Sequence, residues 1–495
     1  MLTLCFASSE LASAQLSSGA PNAPSPAQSG SSMGASGDGG MTNGSSSYGG
    51  QSSGAGSFNQ NPFYGSVPEG KATTEVLPLS IQNAIDRGLR NNLGLLLQSD
   101  NTLQARGEKW KELSALLPNL SAGISESAAQ IDLAAEGFRF SIPGIPTVIG
   151  PIGIFQANAY FSQSLLDLHA LNRKRGASAN ERAAQYNYKD AREIVVLAVG
   201  NSYLQTLSAA ARVETSEAQV QTAQALYGKS VDQQNAGVIP AIDSLRARVE
   251  LQNQQQLLIV ARNNYAKDKL ALGRIIGLPP GQEFILSDKV PYAPLAQMTV
   301  DEALQRAYAA RADYQAAVQQ VLGAEYFRRS VTAEHYPSLN LAGDYGDAGI
   351  RPGSSHGVFQ FGATLTVPIF AGGRSHADAL EADASLRQAR QQLDNLRAQI
   401  DYQVRTALLD LAAAADRVEV ARSSVDLSNQ TLNQARDRFA AGVADNLEVI
   451  QAQEAVTATN ESYISSLYAH NIAKISLARA IGFVEEGVRQ YLQSK

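Results

Sequence analysis

Few side chains in this sequence have the types and spacing that catalysis needs. Gly30–Gly34 (GSSMG) matches the G-x-S-x-G pattern of a nucleophilic serine, but that motif needs a strand before it and a helix after it. It lies instead in a Gly/Ser-rich segment that predicts neither. The five histidines are scattered, without the H-x-x-x-H spacing of a zinc site. The sequence therefore predicts no enzyme, no metal site and no cofactor.

Two acidic residues occupy matching places in two similar segments. NAGVIPAIDSLRARVEL (235–251) and AAGVADNLEVIQAQEAV (440–456) share an Ala-Gly-Val step, a short polar step, an acid and an amphipathic run. The acids are Asp243 and Glu448. They are either ordinary solvated helix residues or part of a functional site that occurs twice. The organisation of the rest of the chain bears on this choice.

Composition excludes several classes of protein. Charged residues make up 17% of the chain, below the roughly 25% of a typical soluble domain. The net charge of −6 gives no reason to expect a nucleic-acid partner. The single cysteine, Cys5, excludes disulfides and thiolate clusters within one chain. No run of 18 apolar residues occurs, so strands would have to carry any membrane role.

The N-terminal segment has features of an export signal followed by a tail. Residues 1–14 end in Ala12-Ser13-Ala14, which is typical of a signal-peptidase site, but they lack a positive region. We interpret 1–14 as the remnant of a signal that begins upstream. Leu2-Thr3-Leu4 lacks the small residues expected before a lipidated cysteine, which disfavours an anchor on Cys5. Residues 15–66 are rich in Gly and Ser and predict a disordered tail.

From residue 67 the chain is internally duplicated. The segment 79–92 matches 298–311 at an offset of 219, and Pro118 matches Pro337 at the same offset. The offset at the Ala-Gly-Val steps is 205, from Gly237 to Gly442. The sequence therefore predicts a first repeat over 67–277, a linker over 278–297 and a second repeat over 298–495.

Each repeat predicts the order αββαα. Residues 359–370 alternate between an apolar face and a polar face, and 155–162 do the same; such alternation fits either a membrane-spanning strand or a half-buried hairpin of a soluble sheet. The strands are expected at about 118–131, 152–166, 337–346 and 357–370. The helices are expected at about 79–117, 168–235, 242–277, 299–336, 372–440 and 445–482.

The long helices predict coiled-coil hairpins. Residues 168–235 and 372–439 contain no proline, and each run would be about 100 Å long at 1.5 Å per residue. Apolar residues recur every seven positions in the second run, with small residues four before each, as in a close coiled-coil seam. The seam comprises Leu411, Val418, Val425, Leu432 and Phe439. Gly237 and Gly442 would lie at the free tips.

Four strands per chain are too few to close a barrel, and a sheet in hydrocarbon must close. Closure therefore demands several copies. Two copies would give eight strands, whose interior side chains fill. Three would give twelve strands and a water-filled lumen.

In its order of motifs the sequence resembles the TolC-type outer-membrane efflux proteins over about residues 75–485. The resemblance is carried by the Pro118 and Pro337 steps, the strand endings SQSLLD (162–167) and TVPIFAGG (366–373), the two tips, and the closing LGRIIGLP and LARAIGF. It implies a mainly α fold with a transmembrane β-barrel portion: a trimer with a twelve-stranded barrel in the bacterial outer membrane and an α-helical tunnel in the periplasm.

The resemblance also implies partners and sites. The partners are a periplasmic adaptor and an inner-membrane pump or ABC transporter, in an efflux or type I secretion system. By this resemblance, the residues expected to dock the adaptor at the hairpin tips are Gly237, Val238, Ile239, Gly442, Val443 and Ala444. The periplasmic gate carries over to Asp243, Glu448, Phe439 and Gln451.

The chain departs from the TolC pattern at the gate. Gln451 stands where a second acid would sit, Ala444 where a tethering arginine would sit, and Phe439 where a tyrosine would sit. We expect a closed state that depends on apolar packing around Phe439 and on one ring of acids. The alternative function is a coiled-coil structural protein that transports nothing.

Overall fold

The computed structural model describes residues 61–135, 137, 146–288, 292, 295, 298–443 and 446–491. The expected signal remnant and most of the expected tail lie outside these residues, as does Ala444. The expected disorder differs from the structure at 61–66, where Pro62–Tyr64 form a short 3-10 helix. Asn92 Nδ2 donates to the Phe63 carbonyl at 2.7 Å, which holds this turn against the first helices.

The described chain is mainly helical. In the first half the elements are β1 (Leu77–Leu79), α1 (Ile81–Asn91), α2 (Leu93–Ser114), β2 (Asn119–Asp132), β3 (Val148–Leu166), α3 (Leu168–Asn235) and α4 (Ala241–Ile275). The second half contains β4 (Phe284–Leu286), α5 (Val300–Ala310), α6 (Ala312–Ala333), β5 (Ser338–Gly349), β6 (Ser355–Thr366), α7 (Arg374–Ala440), α8 (Asn446–Ala480) and α9 (Val484–Tyr491).

The helices expected as single elements over 79–117 and 299–336 are each broken in two. Asn92 and Arg311 have extended backbone, with ψ of 127° and 122°. The Asn92 side chain accepts from Leu95 N–H and so caps α2. The buried Arg311 guanidinium binds Asp313 at 2.6 Å and donates to the Ala480 carbonyl at 3.3 Å. A local cap therefore accompanies the break at Asn92, whereas the break at Arg311 also involves a contact 169 residues away.

Four strands form one antiparallel sheet in the order β2-β3-β5-β6. The last strand ends at Thr366, earlier than the expected residue 370. Pro368 has no N–H to donate to a neighbouring strand. Ile369 and Phe370 leave the sheet and are 96% and 87% exposed.

Three short elements, β1, β4 and α9, were missed by the sequence analysis. β1 and β4 pair in parallel, with Leu77 opposite Phe284, and so join the first repeat to the linker. α9 packs against α3, where Arg192 forms an ion pair with Glu485 at 2.8 Å. A strand of three residues is too short to give a periodic signal.

The long helices pack through small residues. On α7 the seam positions Ala407, Ala414, Ala421 and Ala435 are all buried, together with Val418. Small side chains let the facing helix approach closely, so α7 pairs with α8 as α3 pairs with α4. An ionic cluster adds to this packing where α8 ends, since Arg479 binds Asp190 and Glu193 of α3.

Four helices end at a glycine with positive φ: Gly237, Gly277, Gly442 and Gly482. In each case the residue after the glycine donates its N–H five residues back, which closes a Schellman turn. The surroundings of these glycines differ. A Cβ on Gly482 would lie 2.8 Å from the backbone nitrogen of Arg311, whereas a Cβ on Gly442 would meet nothing within 4 Å.

This contrast gives a stability prediction. Gly442→Ala should cost about 1–2 kcal/mol for the left-handed backbone alone. Gly482→Ala should cost clearly more, because the added methyl also overlaps the backbone at the α5–α6 break. Thermal unfolding of the purified variants measures the difference. Equal losses would contradict the prediction, since they would mean that Arg311 moves aside freely.

Candidate functional site: the hairpin tips and the sheet

The two hairpin tips have the same local geometry. Gly237 has a φ of 75° and Gly442 a φ of 71°. Val238 N–H donates to the Gln233 carbonyl at 2.9 Å, and Val443 N–H donates to the Arg438 carbonyl at 3.0 Å. The turns expose apolar side chains, because Val238 is 69% exposed and Val443 is 70% exposed. Ile239 is half-buried, and Ala444 lies outside the described residues.

The structure brings the first turns of α4 and α8 together. Asn446 is fully buried, and its Nδ2 donates to the Asp243 carbonyl at 2.9 Å. The Asp243 side chain is itself buried on one side and contacts Arg246 at 3.3 Å. Asp243 therefore lies where the two hairpins join, rather than on a free helix face.

Glu448 has a cationic partner that the sequence analysis missed. Its Oε1 lies 3.1 Å from Arg438 Nε, and the pair connects the last turn of α7 to the first turn of α8. An exposed pair of this kind contributes about 0–1 kcal/mol. The sequence signal is the hairpin itself, since Arg438 and Glu448 flank Gly442 at four and six residues.

Phe439 and Gln451 have different environments. Phe439 is buried between α7 and α8, in contact with a cluster formed by Leu432, Ala435, Val449, Ala452 and Val456. Lys229 of α3 lies over its ring at 5.7 Å from the centroid, a cation–π contact between the two hairpins. Gln451 is exposed on α8.

A groove of about 510 Å³ runs between the two hairpins above the tips. Two basic side chains, Lys229 and Arg436, line it, and Phe439 forms part of its wall. The rest of the lining comprises Ala218, Gln221, Thr222, Ala225, Leu226 and Val449.

The sheet has one mainly apolar face and one mainly polar face across all four strands. Leu120 lies opposite Phe161, Phe161 opposite Gly343, and Gly343 opposite Phe361. These positions continue along the strands on the same face, where Ile124, Phe359 and Leu365 are 80%, 74% and 61% exposed. The apolar residues predicted from each repeat therefore share a single exposed face.

A second polar feature lies inside α8. Lys474 is fully buried, and its Nζ has no hydrogen-bond partner among the described residues. Burial lowers the pKa of Lys474 to about 8. Burial and the nearby Lys474 charge lower the pKa of His470 to about 4. The signal is the polar set His470, Asn471 and Lys474 on one buried helix face, and sequence reasoning did not use it.

Two further features of the described residues bear on function. One helix, Leu168–Asn235, contains a window that is apolar enough to cross a membrane, but 61% of that window is buried within the protein, as in a core helix. No group of three or more metal-ligating side chains occurs in the described part of the chain.

The sequence matches the family described as "Outer membrane efflux protein" over residues 113–278 and 301–483. Among curated relatives, Outer membrane protein OprJ of Pseudomonas aeruginosa is 26% identical over 61% of this chain and 64% of its own length, slightly under two thirds. Alkaline protease secretion protein AprF of the same species is 22% identical over 82% of this chain and 86% of its length. Outer membrane protein TolC of Vibrio cholerae is 21% identical over 86% of this chain and 95% of its own length.

Solved structures have the same fold. A membrane protein from Pseudomonas aeruginosa aligns with a TM-score of 0.72 and 19% identity, over 84% of this chain and 96% of its own. The outer membrane protein VceC from Vibrio cholerae aligns with a TM-score of 0.70 and 18% identity, over 81% and 96%.

The junction of the tips gives a prediction. Asn446→Ala removes the hydrogen bond to the Asp243 carbonyl, so the first turn of α4 should lose its support from α8. Amide hydrogen exchange over 241–247 should speed up severalfold, since the lost contact is worth about 1 kcal/mol. Gln451→Ala, an exposed change on the same helix, is the control and should leave exchange unchanged. Unaltered exchange in Asn446→Ala would show that the hairpins are held together elsewhere.

Proposed function

Because this chain belongs to the outer membrane efflux protein family, and its relatives include outer membrane proteins and solved outer membrane channels, we propose that three copies form a transport channel there. The barrel of this channel has twelve strands, and the helices form its periplasmic tunnel. The channel conducts substrates that a periplasmic adaptor and an inner-membrane pump or ABC transporter deliver, in efflux or type I secretion.

The observation that carries this proposal is the open sheet. β2 and β6 are edge strands, and neither pairs with a further strand among the described residues. The sheet also exposes its apolar face. In hydrocarbon, a sheet can pair all of its backbone groups only if it closes into a barrel. Other copies of the same chain supply the missing strands.

The number three follows from the lumen. Eight strands would be filled by their own side chains, whereas twelve leave a passage. The internal duplication supports this count, since two similar αββαα halves in each of three copies give a nearly sixfold arrangement.

Two apolar stripes on the helices support the trimer. On α4, Leu245, Val249 and Val260 are each at least half exposed. On α7, Leu409 and Val420 are 71% and 67% exposed. The stripes lie on the outer helices of the two hairpins, where a neighbouring copy would cover them and complete a tube.

At the tips we propose two roles. Gly237, Val238, Ile239, Gly442, Val443 and Ala444 dock the adaptor, and the exposed valines support this role because they give a partner apolar surface. Asp243, Glu448, Phe439 and Gln451 form the gate region. The Arg438–Glu448 and Arg246–Asp243 pairs support a closed state in which both acids of each copy are held by their own chain.

The non-transporting coiled-coil protein remains the alternative. It would leave the apolar face of the sheet without a role. The family's members are channels, and we propose no enzymatic activity for this chain.

Assembly and conduction test the channel. In detergent the protein mass should be three times 52.5 kDa, and the protein should form stable conducting pores in planar bilayers. Phe361→Arg places a charge on the apolar face in the middle of β6, at a cost of about 2–4 kcal/mol in mid-membrane, and should reduce insertion. Gln360→Arg, one residue away on the polar face, should insert normally. A monomer without conductance, or equal insertion of the two variants, would contradict the proposal.

A second experiment tests the gate. Asp243→Ala combined with Glu448→Ala removes two carboxylates, one of which is the partner of Arg438. The double variant should raise single-channel conductance or open probability in planar bilayers. Asp410→Ala combined with Glu419→Ala removes the same charge from exposed positions on the shaft of α7 and should change conductance much less. Similar effects in both pairs would remove Asp243 and Glu448 from the gate.

A further inference from the structure

The polar face of the sheet carries a single carboxylate in its central row. Strand register places Ser121 opposite Tyr160, Tyr160 opposite Asp344, and Asp344 opposite Gln360. Side chains of one such row point to the same side of the sheet. Asp344 is therefore surrounded across the strands by hydroxyl and amide groups.

The other strand carboxylates have different positions. Glu126 pairs with Phe155 and Asp347 with Ala157, which places both on the apolar face. Asp132 lies beyond the irregularity at Ala129–Ile131, at the end of β2. The four strands contain no Lys or Arg at all. From their helix-side ends up to that irregularity, Asp344 is the only carboxylate on the polar face.

A neutral side chain holds Asp344 in place. Asn158 Nδ2 donates to Asp344 Oδ2 at 3.1 Å. Asn158 lies opposite Gly346, and a Cβ at that glycine would clash with the Asn158 side chain. The glycine therefore leaves room for the amide to lie over the neighbouring strand and reach Asp344. Because the donor is an amide, it orients the carboxylate without neutralising its charge.

We propose that Asp344 is a selectivity residue, which in three copies forms a ring of carboxylates inside the strand portion and makes it favour cations over anions. This inference rests on the proposed channel, in which the polar face lines the lumen. Asn158 is a positioning residue for the ring. The substrates favoured at this point of the passage are cationic or neutral, and small anions are disfavoured.

The physical basis is a field of one sign in a narrow passage. Rings of acidic side chains give cation preference in other pores, and low-dielectric walls concentrate the field. The Debye length is about 30 Å at 0.01 M salt but about 3 Å at 1 M. The preference should therefore be pronounced in dilute salt and nearly absent in molar salt.

Reversal potentials in planar bilayers test the proposal. In a KCl gradient from 10 to 100 mM, wild-type channels should favour K⁺ over Cl⁻. Asp344→Asn should lower the K⁺/Cl⁻ permeability ratio at least about twofold, an effect that disappears above about 1 M KCl because the field is screened. Asp344→Glu should keep the wild-type ratio.

The matched control is Asp347→Asn, which removes the same charge three residues along the same strand but from the opposite face. It should keep the wild-type ratio, and an equal loss in both variants would overturn the assignment to the lumen. If Asp344→Asn fails to assemble, Gln360→Lys places a cation in the same row and should lower the ratio instead.

The possible failures are distinguishable. Wild-type pores that conduct without cation preference, or an unchanged ratio in Asp344→Asn, would overturn this inference and leave the channel intact. Wild-type protein that inserts but conducts nothing would overturn the proposed function, and the selectivity ring with it.

Discussion

The rest of the architecture depends on the pairing of backbone groups at the sheet edges. β2 and β6 each leave a row of N–H and C=O groups without a strand partner in the described chain. In water such edges bind solvent, but hydrocarbon offers no substitute. In the proposed channel the apolar face of this sheet contacts lipid, and the edges pair with edges of other copies. Assembly is thus part of the proposed fold, and the exposed stripes on α4 and α7 fit the same requirement farther along the chain.

The same turn is used for two purposes in the helical part. Gly237 and Gly442 end helices where nothing surrounds them, whereas Gly277 and Gly482 end helices against the backbone or side chain of the α1–α2 and α5–α6 breaks. The first pair of turns can present exposed valines, and the second pair fixes where each hairpin meets the rest of its half. A duplicated chain therefore distinguishes tip from base through surroundings, not through backbone conformation.

Local pattern in the sequence is informative for the long elements only. The proline-free run over 168–235 coincides with α3, and the alternation over 359–366 lies in β6. Such signals persist over many residues, so they survive the influence of neighbours. The break at Arg311 has no such signal, because it depends on a guanidinium that reaches a carbonyl 169 residues away. The short β1–β4 pair likewise exists through a partner remote in sequence.

At the candidate site, the residues at the tips were identifiable, but their electrostatic partners were not. The resemblance indicated Glu448 but not its partner Arg438. Matching sequence positions to a family does not show which side chains meet between α7 and α8. Asp344 went unnoticed because alternation identifies a face but not which strands lie beside it. Only the register places its row between Tyr160 and Gln360.

The two acidic positions of the proposed passage differ in what neutralises them. At the tips, Glu448 lies 3.1 Å from a guanidinium of its own chain, so the pair carries little net field. In the strands, Asp344 binds only an amide among the described side chains, and no Lys or Arg occurs on any of the four strands. A paired charge can act in opening and closing, since breaking the pair releases both partners. An unpaired charge acts continuously on every ion that passes. The chain thus separates a position suited to gating from one suited to selection, about the length of its long helices apart.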